Sequence, residues 1–551
     1  MWFYPAVLLV ANVALCFTES YTPAARAANV LLPGAVFLLL SSASRNVGRT
    51  ILLCLPLSIY AAFQIVLLFL YGGSIIAIDM FLNVLTTNPG EAAELLENLG
   101  PAILTVVLLY LPPILWAVYL LIRHKRASLA DVRTGRRVAC VLGCTGLIAI
   151  AIAYATGPYN IRRQVFPLNV IDNTFEAVNR YHTTREYPGT SEAWSYGATS
   201  TRPDSLAEIY VLVVGETCRA DNWQLLGYDR ATNPGLSRRD DVIAFPRVLS
   251  ESNTTHKSVP LLLSPLTSES FGDSIYEVRS IFEAFREAGF KTAFISNQQR
   301  NHSFIDFFGE QADTCHFISD TPGALRSDSV LVQLFRSFAE DNPGQKLFAV
   351  LHCYGSHFNY RDRYTDAHRV FRPDDNGAAK KSNRDELINA YDNTIVSTDA
   401  MLADLIENLD QLSDSALSAL LFIPDHGEDI FDDSRGRFLH ASPTPTYWQL
   451  HVPMLMWTSK THRDAYPSLS AAARKNADKD IASSSSVFHT VLSLAGINTP
   501  YFNPGYAISS DEYRPHRRMY LNDYNEAVPL AASGMKQVDF DQLARKGISW
   551  E

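Results

Sequence analysis

The stretch "ESNTTHKSVP", residues 251–260, places two adjacent threonines before a histidine and a lysine. A threonine hydroxyl is a weak nucleophile at neutral pH, but coordination to a divalent metal lowers its pKa. Thr254 and Thr255 are therefore candidates for a metal-activated nucleophile. A threonine at a helix N-terminus also caps free backbone N–H groups. Taken alone, the stretch favours the cap.

Two further motifs supply groups that bind divalent metals. Glu216 follows the apolar run "VLVV", and Asp425 and His426 follow "ALLFIP". Carboxylate oxygen and imidazole nitrogen form a ligand set that suits zinc. Each motif also has a structural interpretation, since Glu216 fits the first turn of a helix and Asp-His-Gly fits a turn. Their conjunction with a threonine-rich loop favours a metal site.

The predicted strands explain how these residues could meet. From residue 206 onward, apolar runs alternate with helical patterns, which is typical of a mostly parallel sheet buried on both faces. Ligands of such sheets bind at the carboxyl ends of the strands, where Glu216, His357 and Asp425 fall. The predicted strands lie at 208–216, 291–297, 346–353, 419–427 and 452–458.

The first 157 residues are strongly apolar and predict a membrane module. A helix needs about 20 apolar residues to cross a bilayer. By the positive-inside rule, the basic loop 123–137 is cytoplasmic, which places the N-terminus inside and everything after residue 157 on the far side. The five predicted spans lie at roughly 2–18, 28–43, 50–72, 102–122 and 138–156.

These patterns predict three parts of the chain: a five-helix transmembrane module over 1–157, a connector with a short bridging helix over 158–205, and a soluble α/β domain over 206–551. The formal net charge is −10. Nucleic acid is not an expected partner, because binding its phosphates requires a basic face and none is evident. Outside the apolar runs only Cys218, Cys315 and Cys353 remain, so at most one disulfide is expected there.

Several motifs together resemble the phosphoethanolamine transferases of the alkaline phosphatase and sulfatase superfamily. That family modifies lipid A and includes the mobile colistin-resistance enzymes. The resemblance covers nearly the whole chain and implies an alkaline-phosphatase-like fold for residues 206–551. The motifs, in the family's order, are "VVGETCRADNWQLLGYDRATNP", "TTHKSVPLLLS", "LHCYGSH", "ELINAYDNTIVSTD", "IPDHGEDI" and "FLHASPTPTYWQLHVPMLMW".

The resemblance implies which threonine reacts. In the family, the nucleophile stands three residues before a serine and five before a proline, a frame that Thr255 fits and Thr254 does not. The resemblance also implies one tightly bound zinc ion and leaves a second zinc open. The implied metal ligands are Glu216, Thr255, Asp425 and His426.

Four more residues are expected to act on the substrate. By resemblance, His357 and His440 are catalytic groups that line the site for the substrate phosphate or a second zinc. Lys257 is a candidate phosphate clamp, although a loop lysine is more often simply solvated. Asn297, which ends the second predicted strand, is a candidate for contacting the ethanolamine group.

The implied reaction transfers phosphoethanolamine from phosphatidylethanolamine to lipid A or the lipopolysaccharide core. It passes through a covalent phosphothreonine intermediate and releases diacylglycerol. The implied setting is the bacterial inner membrane, with a monomeric, multi-pass protein whose catalytic domain lies in the periplasm among its lipid partners. The chain departs from the family in disulfides, since the positions that flank the threonine loop carry Asn253 and Leu261. We therefore expect the chain to represent a divergent, disulfide-poor branch of the family.

Three alternatives stay open. A phosphoglycerol transferase of the same fold would act on a glycan or lipid acceptor and would also use a threonine nucleophile. A sulfatase is disfavoured, because the sequence lacks a Cys/Ser-x-Pro-x-Arg motif. A catalytically inactive membrane sensor that kept the fold is disfavoured by the presence of Glu216, Thr255, Asp425 and His426 together.

Overall fold

The structure, a computed structural model, describes residues 2–86, 99–320, 327–375, 377–412 and 416–551. These residues divide into two compact units, with the main boundary along the chain near residue 180. The predicted limits of the connector, 158 and 205, stay a prediction. Within that region, the structure has two α-helices, Ile161–Gln164 and Leu168–Thr190, and the second is longer than the predicted bridging helix.

The first unit is built from helices. Their apolar side chains pack into one core that also takes in Phe166 and Val170, beyond the last long apolar helix. The α-helices are Phe3–Thr18, Pro23–Ser41, Val47–Leu53, Leu55–Tyr71, Ile78–Thr86, Gly100–Ile122, Leu129–Thr156, Ile161–Gln164 and the first part of Leu168–Thr190.

Three helices among the described residues are long and apolar enough to cross a membrane: Pro23–Ser41, Gly100–Ile122 and Leu129–Thr156. Val47–Leu53 and Leu55–Tyr71 meet at a 56° bend and make a fourth candidate if they are counted as one broken span. Phe3–Thr18 is apolar but has only 16 residues, fewer than the roughly 20 that a straight crossing needs. The structure therefore supports a membrane module with three or four spans.

The second unit is an α/β domain. Its strands are β1 (Thr199–Ser200), β2 (Glu208–Gly215), β3 (Val242–Leu249), β4 (Lys291–Ser296), β5 (Thr314–Phe317), β6 (Lys346–His352), β7 (Leu417–Pro424), β8 (Asp429–Ile430), β9 (Phe438–Leu439), β10 (His451–Thr458), β11 (Ile481–Ala482), β12 (Ile497–Asn498), β13 (Met519–Leu521) and β14 (Ala527–Pro529). Its α-helices are the last part of Leu168–Thr190, Thr255–Leu262, Ile281–Glu287, Phe304–Gly309, Ser329–Asp341, Arg384–Leu412, Tyr447–Leu450, Lys460–Ala465, Pro467–Asn476, Ser483–Ala495 and Gln537–Arg545.

One eight-stranded sheet forms the centre of this unit, in the order β11-β3-β10-β7-β2-β6-β4-β5. Along β2, Leu212 and Val214 pack into the core on one face of the sheet, while Val211 and Val213 pack into the core on the other face. The near-continuous apolar sequence of β2 is explained by this double burial. All five strands predicted from the sequence are present, within a few residues of the expected limits.

The sheet is mostly parallel, as expected, but it is mixed, because two of its strand pairings are antiparallel. β10 runs antiparallel to both of its neighbours, β3 and β7, whereas β2, β6, β7, β4 and β5 are paired in parallel. The reversal of β10 brings its first residue, His451, to the edge where β3 and β7 end. The segment that precedes β10 in the chain therefore ends at the edge of the sheet that carries the candidate ligands.

Candidate metal centre

The candidate ligands follow two adjacent strands at their carboxyl ends. β2 and β7 are parallel neighbours, and Gly215 lies opposite Pro424 in their register. Glu216 and Asp425 are the next residues on each chain, so the two carboxylates leave the sheet side by side. His426 follows directly and is fully buried, as are both carboxylates.

Thr255 reaches the same edge from β3. After this strand ends, a short loop leads to the helix Thr255–Leu262, and Thr254 occupies its N-cap position. The Thr255 Oγ1 atom lies 3.2 Å from Nε2 of His426 and 3.4 Å from Oε1 of Glu216. The Thr254 side chain makes no capping hydrogen bond and lies 3.1 Å from the Ser252 hydroxyl instead. Of the two threonines, Thr255 therefore has its hydroxyl among the ligands.

The donor set fits a divalent cation. One ligand atom from each of Glu216, Asp425 and His426 lies within 4.8 Å of the others. Asp425 Oδ1 accepts hydrogen bonds from the N–H groups of Thr217 and His426, but Asp425 Oδ2 is buried without a hydrogen-bond partner. A buried carboxylate oxygen without a partner is costly unless a cation binds it. This orphaned oxygen is the feature that a metal ion would satisfy.

The orientation of His426 leaves one ring nitrogen available to a metal. Nδ1 lies 3.0 Å from the carbonyl oxygen of Gly427, so in the neutral ring Nδ1 carries the proton and donates this hydrogen bond. The lone pair is then on Nε2, which points toward Thr255 and lies 3.2 Å from Oδ2 of Asp425. A backbone hydrogen bond that fixes the tautomer in this way is typical of metal-binding histidines.

Burial without a cation raises the pKa values of these carboxyl groups. The pKa of Glu216 is raised to about 8 by burial and by the nearby charge of Asp425. Burial raises the pKa of Asp425 to about 7, and burial holds the pKa of His426 well below its usual value. Among the described residues, neither carboxylate forms an ion pair with a lysine or an arginine. The two buried carboxyl groups therefore lack a cationic lysine or arginine partner among the described residues, and a metal ion would supply that charge.

His357 and His440 lie beside this cluster. Together with Glu216 they form a second group of three ligand atoms within 4.8 Å of one another. The rings of His426 and His440 lie 4.3 Å apart, and those of His357 and His440 lie 5.7 Å apart. The structure thus brings together all six residues that the sequence analysis assigned to metal binding or catalysis.

Two predicted substrate-binding residues make contacts of another kind. Lys257 is buried, and its Nζ donates to the backbone oxygen of Asn522 at 2.6 Å. The Asn297 side chain donates to Asp328, whose carboxylate also accepts hydrogen bonds from the N–H groups of Tyr354 and Gly355. These contacts favour a structural role for both, and their contact with substrate stays a prediction.

Three residues at the site were not singled out from the sequence. Gln298 Nε2 donates to Oε2 of Glu216 at 2.7 Å, which leaves Oε1 facing Thr255. Glu428, buried with its pKa raised to about 8 by burial, lies 3.4 Å from Nδ1 of His440. The Ser250 hydroxyl donates to the backbone oxygen of Asp425 at 2.6 Å and so ties the threonine loop to β7. A polar residue just beyond a buried strand was the available signal for Gln298.

A glycine permits close packing beneath Glu216. Gly355 has a positive φ of 55°, and a Cβ atom there would lie 2.6 Å from the backbone oxygen of Glu216. Any other residue would push the two strand ends apart.

The seven cysteines are all free, so the permitted disulfide is not formed.

Comparison with known proteins identifies the family of the chain. A family model described as sulfatase matches residues 208–497, which is more than half of the chain. The chain belongs to the sulfatase family. A second model, described as phosphoethanolamine transferase EptA/EptB, matches residues 32–181. This second match agrees with the resemblance of the chain's motifs to the phosphoethanolamine transferases.

Individual proteins and solved structures are similar to parts or most of the chain. The phosphoethanolamine transferase EptA of Salmonella typhimurium is 30% identical over 318 residues, 56% of this chain and 56% of that protein. The chain thus spans little more than half the length of this relative. Among solved structures, the integral membrane EptA of Neisseria meningitidis has a TM-score of 0.73 at 22% identity and covers 93% of this chain and 99% of that chain. The periplasmic domain of Escherichia coli EptC, solved in complex with Zn, has a TM-score of 0.53 at 23% identity and covers 60% and 94%.

Proposed function

We propose that this sulfatase-family protein is a zinc-dependent phosphoethanolamine transferase. It takes phosphoethanolamine from phosphatidylethanolamine and passes it to lipid A or to the lipopolysaccharide core. The observation that carries the proposal is the position of the Thr255 hydroxyl beside a buried cluster of two carboxylates and an imidazole that holds no cationic side chain. The names of the EptA relatives favour phosphoethanolamine as the transferred group.

The residues that would hold one zinc ion are Glu216, Thr255, Asp425 and His426. Bound there, zinc would lower the pKa of the threonine hydroxyl and offset negative charge on the phosphoryl group. A second zinc is an open extension of this proposal, because Glu216, His357 and His440 form a further ligand group. The Zn complex of E. coli EptC supports zinc as the metal.

The reaction has two displacement steps. In the first, the Thr255 hydroxyl gives up its proton to solvent, its oxygen bonds to the phosphorus of phosphatidylethanolamine, and the bond to the diacylglycerol oxygen breaks. His357 or His440 supplies the proton that the leaving oxygen needs. In the second, an acceptor oxygen attacks the same phosphorus and the bond to Thr255 breaks. The histidine and the Thr255 oxygen recover their protons from the acceptor or from solvent, which regenerates the enzyme. Such a two-step route is typical of covalent catalysis by an activated nucleophile.

The membrane module has a physical purpose in this scheme. Donor and acceptor are both lipids, and a tethered catalytic domain searches a surface rather than a volume. We propose five spans in the inner membrane, with the N-terminus inside and the catalytic domain in the periplasm. In that arrangement Phe3–Thr18 and the bent pair each count as one span. A monomer suffices, since one chain supplies every ligand.

A direct assay tests the proposal. The full chain in detergent is incubated with zinc and with phosphatidylethanolamine or phosphatidylglycerol, each labelled in its head group and in its acyl chains. We expect labelled diacylglycerol from phosphatidylethanolamine only, and none from a Thr255→Ala variant. Turnover of phosphatidylglycerol instead would favour the phosphoglycerol transferase. No turnover of either lipid, with an unchanged phosphoethanolamine content in lipid A and core of cells that carry the gene, would refute the proposal.

A further inference from the structure

A buried pair of side-chain amides joins the loop before Thr255 to the loop that carries His440. The pair consists of Asn253 and Gln449, and we call it the amide brace. Both side chains are almost completely excluded from solvent. Asn253 lies two residues before Thr255, and Gln449 lies in the short helix Tyr447–Leu450 just before β10. Neither residue is a member of the metal-ligand groups.

Asn253 uses every hydrogen-bonding atom of its side chain. Its Nδ2 donates to Oε1 of Gln449 at 2.7 Å and to the backbone oxygen of Ser442 at 2.9 Å, while its Oδ1 accepts from the Tyr520 hydroxyl at 2.8 Å. Its backbone oxygen also accepts from the N–H of Ala441 at 3.1 Å. Three of these four bonds lead to Ala441, Ser442 or Gln449, on the far side of the site from the threonine loop.

Gln449 is equally committed. Its Nε2 donates to Oδ2 of Asp429 at 2.9 Å and to the backbone oxygen of Leu439 at 3.1 Å. Its Oε1 accepts from Asn253 and from the Ser442 hydroxyl at 3.0 Å. Each amide nitrogen has two acceptors, so the orientation of both amides is determined by their partners.

The brace holds the residues on both sides of His440, and these residues are strained. Leu439 has a φ of 68° and Ala441 a φ of 57°, in the left-handed region that side chains other than glycine rarely occupy. Such conformations cost free energy and persist only when the surroundings hold them in place. The Gln449 amide donates to the carbonyl of Leu439 and the Asn253 amide donates to the carbonyl of Ser442, while the backbone oxygen of Asn253 accepts from the N–H of Ala441. Asn253 and Gln449 therefore hold the backbone on either side of His440, Gln449 through its side chain and Asn253 through its side chain and its backbone.

We infer that the amide brace positions His440 relative to Thr255. The inference rests on the proposed transferase function, in which His440 acts on the substrate phosphoryl group opposite the Thr255 nucleophile. Asn253 and Gln449 act through His440 and do not touch substrate, so they are positioning residues. Because a misplacement of about 1 Å can cost about 100-fold in rate, loss of the brace should lower kcat strongly.

A double-mutant cycle tests this inference. In the full chain, Gln449→Leu removes the central amide, and His440→Ala removes the group that it positions. We expect Gln449→Leu to lower kcat by about 100-fold in the native background and by less than about threefold in the His440→Ala background, because residues that act as one unit are not additive. Gln449→Asn keeps an amide but is one methylene shorter, and it replaces Gln449→Leu if that variant does not fold.

The matched control is Gln311→Leu. Gln311 is also a buried amide with three hydrogen bonds, to Ser280 and Tyr187, but it lies outside the site. This variant should lose stability while kcat stays within about threefold of the native value, since it removes no contact of the site. Equal effects of Gln449→Leu in both backgrounds, or no effect of His440→Ala, would overturn the inference.

A second readout does not depend on activity. Amide hydrogen exchange of the zinc-loaded protein should become faster in residues 439–442 of the Gln449→Leu variant. Its zinc affinity should stay within about threefold of the native value, because the amide brace does not contact Glu216, Asp425 or His426. Unchanged exchange there overturns the brace itself. If the native protein turns over no lipid but the exchange changes as expected, the proposed function fails and the structural part of the inference stands.

Discussion

The two ends of β2 carry buried carboxylates with opposite surroundings. At the amino end, Glu208 is fully buried and meets three partners, Arg202 at 2.8 Å, Lys346 at 3.2 Å and the Tyr210 hydroxyl at 2.7 Å. At the carboxyl end, Glu216 is equally buried and stands beside Asp425. No lysine or arginine of the described residues pairs with Glu216.

The difference shows which of the two buried carboxylates is neutralised by side chains of the protein itself. Two cations and a hydroxyl compensate Glu208, so its role is structural. Glu216 and Asp425 are buried without a lysine or arginine partner among the described residues, which is costly for a folded chain, and strongly shifted pKa values of this kind are a recurrent feature of functional sites. A divalent cation is the partner that this end of the sheet lacks.

The largest expected effect comes from Glu216→Gln. The change removes a metal ligand while it keeps the shape of the side chain, and loss of an outer-shell contact alone typically costs about 10- to 100-fold. We therefore expect the zinc affinity and kcat each to fall by at least about 100-fold. Chelator competition and lipid turnover measure the two quantities, and an unchanged zinc affinity would remove Glu216 from the ligand set.

The matched change at the other end is Glu208→Gln. It leaves Arg202 and Lys346 buried without their carboxylate, and breaking a buried ion pair costs about 3–5 kcal/mol. We expect the unfolding free energy of the soluble domain in urea to fall by this amount, while kcat of the folded fraction is retained. Tryptophan fluorescence can follow unfolding, since Trp223 and Trp457 are buried in that domain. If Glu208→Gln lost activity without losing stability, the structural role assigned to Glu208 would be contradicted.

Zinc binding should stabilise the protein. A ligand that binds only the folded state adds about 2.7 kcal/mol to the unfolding free energy at 100 times its dissociation constant. We expect this gain in the native protein and in Glu208→Gln, but not in Glu216→Gln at the same zinc concentration. Thermal denaturation with and without a chelator measures it. An equal gain in all three proteins would indicate that zinc binds elsewhere.

A last expected effect is a dependence of stability on pH in the zinc-free protein. Burial raises the pKa of Glu216 to about 8 and that of Asp425 to about 7, above their usual values of 4.5 and 3.8. Between these usual values and the raised ones, the folded state therefore binds more protons than the unfolded state. The contribution of these two groups to the free energy of unfolding falls as pH rises from about 4 to about 8. Urea denaturation across this range should show the fall in the native protein and a smaller one in Glu216→Gln. The same pH dependence in both proteins would contradict the raised pKa of Glu216.

The ligand cluster could be predicted because it follows from strand ends. Glu216 and Asp425 each come directly after an apolar run, and the carboxyl ends of parallel strands meet at one edge. The choice of Thr255 over Thr254 came from its spacing to Ser258 and Pro260 in the family frame. Nothing in the threonine stretch alone makes that choice.

Other features depend on contacts that are distant in sequence. β3 was not predicted, since Pro246 and Arg247 interrupt its apolar pattern. The direction of β10 cannot be read from its own residues, because an apolar strand reads the same in either orientation. At the end of β4, a shift of one residue decides which side chain faces the site, so Gln298 contacts Glu216 whereas Asn297 turns to Asp328.

The covalent intermediate on Thr255 tests the central claim most directly. The zinc-loaded full chain is incubated with phosphatidylethanolamine without an acceptor, quenched in acid, digested, and mapped by mass spectrometry. We expect one phosphoethanolamine group on Thr255, no adduct in the zinc-free protein, and loss of the adduct when lipid A is added before the quench. An adduct on Thr254 or on any other residue, or diacylglycerol release with no adduct at all, would contradict the assignment of Thr255 as the metal-activated nucleophile.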